Sequence, residues 1–227
     1  MPVLVVTGVS RGIGYAIARR FAGVYTIVGC SRTSANIDRI RRRHPDWDVG
    51  QYDLGQKAQA VAFAAHVLER YAEVDVLVNN AGRFQPGSLL EESDEVYEEM
   101  LASNLHSAYY VTKAFLPRFI AQRSGLIVNM ASVASLGAYP NGSSYSIAKA
   151  ALLSFSRNLR EQLKVHQVRV TTFLLGATLT DSWEGAPYPP DRFISPETVA
   201  ELVWTLAHLP PQAVVEELLL RPMLGDI

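Results

Sequence analysis

Tyr145 and Lys149 stand four residues apart in Ser144-Tyr145-Ser146-Ile147-Ala148-Lys149, with Ser132 thirteen residues before the tyrosine. On a helix, that spacing stacks the two side chains one turn apart on the same face. An ammonium beside a phenol favours the phenolate and lowers a pKa that is otherwise about 10. The pair then serves as proton donor and acceptor near neutral pH, as interconversion of a carbonyl and an alcohol requires. A lone Tyr-x-x-x-Lys spacing is common, so its weight depends on its surroundings.

A second chemical feature opens the chain. The apolar run Val3–Thr7 leads into Thr7-Gly8-Val9-Ser10-Arg11-Gly12-Ile13-Gly14, where a helical pattern begins. Glycines let a backbone turn tightly and approach a pyrophosphate, which rests on the unpaired N–H groups of the helix start. The spacing is Gly-x-x-x-Gly-x-Gly, distinct from the Gly-x-Gly-x-x-Gly fingerprint. Gly8, Ser10, Arg11, Gly12, Ile13 and Gly14 are the contacts expected there.

At the end of the second apolar run, an acid would select an unphosphorylated ribose. The chain instead reads Gly29-Cys30-Ser31-Arg32-Thr33, with no acid before Asp38. Arg32, helped by Ser31, can meet a 2′-phosphate with charge-assisted hydrogen bonds, and Arg11 can approach it from the other side. Two arginines so placed favour NADP(H) over NAD(H). Arg39, Arg41, Arg42 and Arg43 read instead as the solvated end of a helix.

The elements that must position these residues follow from the hydrophobic pattern. Short apolar runs at Val3–Thr7, Tyr25–Cys30, Trp47–Tyr52, Val74–Asn79, Leu126–Met130, Val168–Leu175 and Val215–Leu220 read as strands. Between them lie helical patterns at Gly12–Phe21, Asn36–Arg43, Gln56–Tyr71, Asp94–Ala121, Ser144–Val165 and Pro196–Ala207. The last opens on Ser195-Pro196-Glu197, an N-cap, a first-turn proline and an acid. This alternation, with no linker or repeat, predicts one doubly wound α/β domain over residues 1–227. The longest irregular stretch, Gly176–Ile194, contains Pro187-Tyr188-Pro189-Pro190 and reads either as a substrate lid (177–194) or as a plain surface loop.

The bulk numbers exclude several classes. A formal net charge of −1 gives no electrostatic case for a nucleic acid or membrane partner. Cys30 is the only cysteine and the five histidines are scattered, so neither a disulfide within the chain nor a Cys-rich zinc site is expected, and no metal is assigned. No apolar run reaches the length of a membrane span, and no targeting segment is recognisable. A cytoplasmic protein is expected.

Taken together, these residues resemble the short-chain dehydrogenase/reductase family over nearly the whole chain. Thr7 to Gly14 matches its Thr-Gly-x-x-x-Gly-x-Gly motif, and Asn79-Asn80-Ala81-Gly82 its Asn-Asn-Ala-Gly motif. Asn104, Ser132, Tyr145 and Lys149 match its catalytic tetrad in order and spacing. The resemblance implies a Rossmann-type seven-stranded parallel sheet in the order 3-2-1-4-5-6-7. It implies that Tyr145 is the acid/base, that Ser132 holds the carbonyl oxygen, and that Lys149 lowers the Tyr145 pKa and binds the nicotinamide ribose. Asn104 would anchor a water linking Lys149 to solvent. Asp53 and Leu54 would contact adenine, and Asn80, Ala81, Gly82, Tyr145 and Lys149 would line the cofactor. The family's Pro-Gly after strand six is Leu175-Gly176 here; Gly176, Thr178 and Thr180 remain as contacts to the nicotinamide end.

A pocket walled by Phe84, Leu136, Tyr139 and Trp183, with Tyr188 nearby, suits a neutral carbonyl compound, whereas Arg83 or Arg192 would suit an anion. The expected activity is NADP(H)-dependent interconversion of a ketone or aldehyde and an alcohol, in a homodimer or homotetramer assembled through Asp94–Ala121 and Ser144–Val165. Two alternatives are a non-catalytic NADP-binding regulatory protein on the same fold and an NAD-preferring alcohol dehydrogenase.

Overall fold

The computed structural model describes every residue of the chain except Pro140 and Glu184. Its elements are β1 (Val3–Thr7), α1 (Gly12–Phe21), β2 (Thr26–Ser31), α2 (Ser34–Arg43), β3 (Asp48–Gln51), α3 (Lys57–Arg70), β4 (Val76–Asn79), α4 (Asp94–Leu101), α5 (Ser107–Gln122), β5 (Leu126–Met130), α6 (Ser143–Leu163), β6 (Arg169–Leu175), α7 (Pro196–Ala207) and β7 (Glu217–Leu220). The strands form one parallel sheet in the order β3-β2-β1-β4-β5-β6-β7, as expected. Strand order reverses between β1 and β4. There the C-terminal ends of the strands open the crevice in which doubly wound sheets hold their ligands.

Both sheet faces are covered, which is why the strands read as continuous apolar runs rather than alternating ones. In β1, Leu4 and Val6 face a core completed by Ile17 and Phe21 of α1, Ile37 and Ile40 of α2, and Val199 and Val203 of α7. Val3 and Val5 face the opposite core, with Phe63 and Val67 of α3, Phe115 and Phe119 of α5, and Leu159 and Leu163 of α6. The period of two along the strand thus assigns each neighbouring residue to a different layer.

Three expectations are corrected. The helix expected over Asp94–Ala121 is two helices, α4 and α5, joined by a π-helical turn at Ala102–His106. Such turns arise where the regular hydrogen-bond ladder takes in an extra residue, and they gather at functional sites. Strands β2, β3, β4, β6 and β7 are shorter or shifted by one or two residues, because apolar residues flanking a strand pack against the core without joining its ladder. The arginines of α2 are not simply solvated. Arg39 Nη2 donates to the Ser10 carbonyl at 3.1 Å and Arg41 Nη2 to the Val49 carbonyl at 2.7 Å.

No helix among the described residues is long and apolar enough to cross a membrane.

Candidate active site

The turn after β1 is held open by backbone geometry. Gly8 and Gly12 have φ of 70° and 55°, a region that side-chain-bearing residues avoid. Gly8 N and Val9 N donate to the Cys30 carbonyl at 3.0 and 3.1 Å, tying the turn to the end of β2. Thr7 Oγ1 accepts from the N–H groups of Asn80 and Ala81, both at 2.9 Å, and Asn80 Nδ2 donates to the Thr7 carbonyl at 2.9 Å. The Asn79–Gly82 segment therefore braces the glycine turn from β4. A Cβ on Gly14 would collide with the Gly8 carbonyl oxygen, so this glycine lets α1 pack close beneath the turn; it does not line the cavity.

Directly over this turn lies a continuous cavity of about 1080 Å³. At one end it is bounded by Ser10, Arg11, Gly12, Ile13, Ser31 and Arg32, with Asp53 and Leu54 beside them. At the other end it reaches Asn104, Ser132, Tyr145 and Lys149, passing Asn80, Ala81 and Gly82 on the way. Gly176, Thr178 and Thr180 close its far side. Residues from the ends of all seven strands thus share one space, which sequence order alone leaves scattered.

The reacting end is assembled by backbone hydrogen bonds. Ser132 follows β5 and accepts from Ala134 N at 3.1 Å, while Ser135 Oγ accepts from Ser132 N at 3.4 Å and donates to the Lys149 carbonyl at 2.9 Å. One capping turn thereby fastens the serine to helix α6. Lys149 is buried and its Nζ donates to the Met130 carbonyl at 2.8 Å. Burial pulls its pKa down to about 8. Asn104, on the π-helical turn, accepts from Arg83 N at 3.2 Å and donates to the carbonyls of Arg83 at 2.8 Å and Met100 at 3.1 Å. A Cβ on Gly82 would lie 2.7 Å from Asn104 Oδ1 and 3.6 Å from Lys149 Nζ, so this glycine leaves both groups their space.

The expected lowering of the Tyr145 pKa by Lys149 is not found. Burial of the hydroxyl end pushes the phenol up, the Ser132 hydroxyl pulls it back down, and Tyr139 adds a smaller upward push. The Lys149 nitrogen stands 5.6 Å from the centre of the Tyr145 ring and is turned toward Met130. Desolvation of the phenolate is the largest influence and sets the upward direction.

Phe84 meets Tyr145 edge-on, with ring centres 5.2 Å apart, and Tyr139 at 6.1 Å. Leu136 and Trp183 also line the cavity. Tyr188 is not part of the wall; it packs on Phe193, which in turn meets Trp183 at 5.2 Å. Among the described residues of 177–194 there are single turns at Asp181–Trp183 and Pro190–Arg192 and a bridge between Thr178 and Ile194, and Ala177, Thr178, Thr180, Asp181, Ser182 and Trp183 line the cavity. Arg11 Nη1 meets Asp181 Oδ2 at 2.5 Å, and Thr180 packs over Gly12.

The remaining arginines have other partners. Arg83 pairs with Glu99, and Arg192 donates to the carbonyls of Leu224, Gly225 and Asp226. Arg32 lies 3.9 Å from the same Glu99. Sequence reading missed the Met130 carbonyl, Ser135, Arg39, Asp181 and Glu99, and also Arg221 and Asp226, which pair with one another on the cavity wall. Only Ser135 carried a legible signal, as the third residue after a capping serine. A main-chain carbonyl carries none.

Known proteins resemble this chain in sequence and in fold. The family model for short chain dehydrogenases matches residues 2–187. The chain is 31% identical to a sepiapterin reductase of Chlorobaculum tepidum, covering 99% of this chain and 98% of that one. It is 29% identical to an NADP-dependent 3-hydroxy acid dehydrogenase of Salmonella typhi, covering 97% and 95%. Among solved structures, an alcohol dehydrogenase from the archaeon Thermococcus sibiricus complexed with 5-hydroxy-NADP superposes with a TM-score of 0.90 at 31% identity, covering 100% of this chain and 99% of the other. A serine dehydrogenase complexed with NADP+ gives 0.90 at 27% identity, covering 99% and 96%.

Proposed function

The chain belongs to the short-chain dehydrogenase family and is an oxidoreductase, and from that premise we propose that it interconverts a neutral ketone or aldehyde and the corresponding alcohol with NADP(H). The observation that carries the proposal is the single cavity that joins the glycine turn to Tyr145, Ser132 and Lys149. The turn fits a dinucleotide: Gly8 and Gly12 add no side chain to it, and the start of α1, whose Gly12 and Ile13 line the cavity, has no side-chain cap over its first N–H groups. Bound NADPH would supply the hydride, the one chemical component the side chains lack.

The chain's own residues do the rest. The Ser132 hydroxyl orients the carbonyl oxygen and donates to it as negative charge grows there. The Tyr145 hydroxyl gives its proton to that oxygen in reduction and takes it back in oxidation. Its raised pKa keeps the phenol protonated through neutral pH, which suits reduction. Lys149, held by Met130, would bind the nicotinamide ribose hydroxyls, and Asn104 would hold a water on the proton path behind it. Phe84, Leu136, Tyr139 and Trp183 would enclose the apolar part of the substrate. Because Arg83 and Arg192 are engaged elsewhere, a neutral substrate fits better than an acid.

Ser31, Arg32 and Arg11 would receive the 2′-phosphate. An NAD(H)-preferring enzyme is the second reading, favoured by the carboxylates near both arginines, Asp181 paired with Arg11 and Glu99 at 3.9 Å from Arg32. We extend the proposal to a homodimer or homotetramer through α5 and α6, which expose Tyr109, Ile120 and Ile147. Light scattering on the purified protein tests this; a monomer at micromolar concentration would count against it.

The deciding experiment follows NADPH oxidation across ketones, 3-oxoacyl thioesters, quinones and pterins. Turnover of at least one class, lost in Tyr145→Phe, is expected. NADPH binding without turnover of any of them would favour a non-catalytic cofactor-binding protein.

A further inference from the structure

Glu99, near the end of α4, stands between two arginines. Its Oε1 accepts a short hydrogen bond from Arg83 Nη1 and lies 3.9 Å from Arg32 Nη1, beyond hydrogen-bond reach. Arg32 lines two spaces at once. One is the large cavity over the glycine turn; the other is a side cavity of about 330 Å³ whose wall carries Glu95, Glu98 and Glu99. Arg32 therefore stands near a carboxylate in the second space and would meet a phosphate bound in the first.

Which partner wins depends on whether Glu99 is already occupied. A guanidinium fully paired with a carboxylate has less to offer a phosphate, because the two anions compete for the same planar set of donors. Arg83 is well placed to decide this. Its main chain is clamped on both sides by Asn104, and its Nη2 donates to Gln85 Oε1 at 3.1 Å. These contacts leave Nη1 directed at Glu99.

We propose that Arg83 is a cofactor-specificity residue that acts through Glu99, occupying its carboxylate so that Arg32 remains free for the 2′-phosphate. This inference rests on the NADP(H) reading above. Arg83 is a positioning residue in this role, since it need not touch the phosphate itself. The arrangement also explains how an acid-lined face of α4 can adjoin a phosphate site without defeating it.

Equilibrium titration of NADPH and of NADH, followed by calorimetry, tests the inference without turnover. Arg83→Ala is expected to weaken NADPH by roughly two- to fivefold, the range of a single partly exposed ion pair, and to leave NADH unchanged. Arg83→Lys and the double variant Arg83→Ala/Glu99→Gln are expected to restore the wild-type ratio. Glu99→Gln alone, which leaves Arg83 intact, is expected to bind NADPH at least as tightly as wild type.

Equal weakening of both nucleotides by Arg83→Ala, or no rescue by Glu99→Gln, would overturn the inference while leaving the NADP(H) reading intact. Selective loss of NADPH in Glu99→Gln would overturn it as well. Wild-type protein that binds NADH as tightly as NADPH would instead remove the NADP(H) reading, and the inference with it.

Discussion

Lys149 Nζ donates to the carbonyl oxygen of Met130 at 2.8 Å, joining the second turn of α6 to the last residue of β5. The bond fixes the ammonium at 5.6 Å from the centre of the Tyr145 ring. It also satisfies a cation that burial otherwise disfavours. Lysine and tyrosine are therefore placed by separate contacts, and each can be tested separately.

Lys149→Met should change how stability depends on pH. Burial lowers the lysine from 10.5 to about 8, so between these values the unfolded chain binds a proton that the folded chain has released. Wild-type stability should therefore rise with pH across that window relative to the variant, by about 3 kcal/mol in all. The penalty is fully present below about pH 8 and gone above 10.5. Thermal midpoints of both proteins measured from pH 7 to 10.5 check this; a constant difference would show that the lysine is not desolvated.

Tyr145→Phe should lower kcat for carbonyl reduction by roughly 10²–10⁴-fold, the range of a lost general acid, with a far smaller change in NADPH affinity. In the wild type, the upward push on the phenol sets the sign of the pH profile. Reduction uses the protonated form and should hold through neutral pH, falling only on the alkaline side. Oxidation of the alcohol uses the phenolate and should climb there. Initial rates in both directions against pH would expose an error if reduction instead fell below neutral.

Arg32→Ala should weaken NADPH by roughly 10- to 100-fold, the worth of charge-assisted hydrogen bonds, and leave NADH untouched. Fluorescence titration with each nucleotide provides the measurement. Parallel losses for both would mean that the arginine shapes the site rather than reading the phosphate.

Gly14→Ala should destabilise the protein although it improves helix propensity. Alanine gains about 1 kcal/mol over glycine within a helix. Here its Cβ would meet the Gly8 carbonyl oxygen and come within 2.5 Å of Asn80 Nδ2. Neither group can move without breaking the brace between β1 and β4, so a net loss of about 2–3 kcal/mol is expected. Urea unfolding would reveal it as a lower midpoint with an unchanged slope.

Much of this protein was determined by the sequence itself. Seven apolar runs separated by amphipathic segments can be buried on both faces only in a parallel sheet between helix layers, and the sheet has that form. The glycine turn was legible because positive φ at Gly8 and Gly12 demands that residue type. Asn104, Ser132, Tyr145 and Lys149 were legible through order and spacing, and the fold brings them to one end of one cavity. What the tertiary structure decided were contacts between groups far apart in the chain or carried by the backbone. Met130 holds Lys149 through a carbonyl that every residue possesses, so no residue type could announce it. Glu99 and Asp181 engage Arg83 and Arg11 across stretches of chain that only folding closes. The phenol's pKa followed the same rule: spacing placed a lysine beside it, but burial, a property of the packed interior, set the direction of the shift.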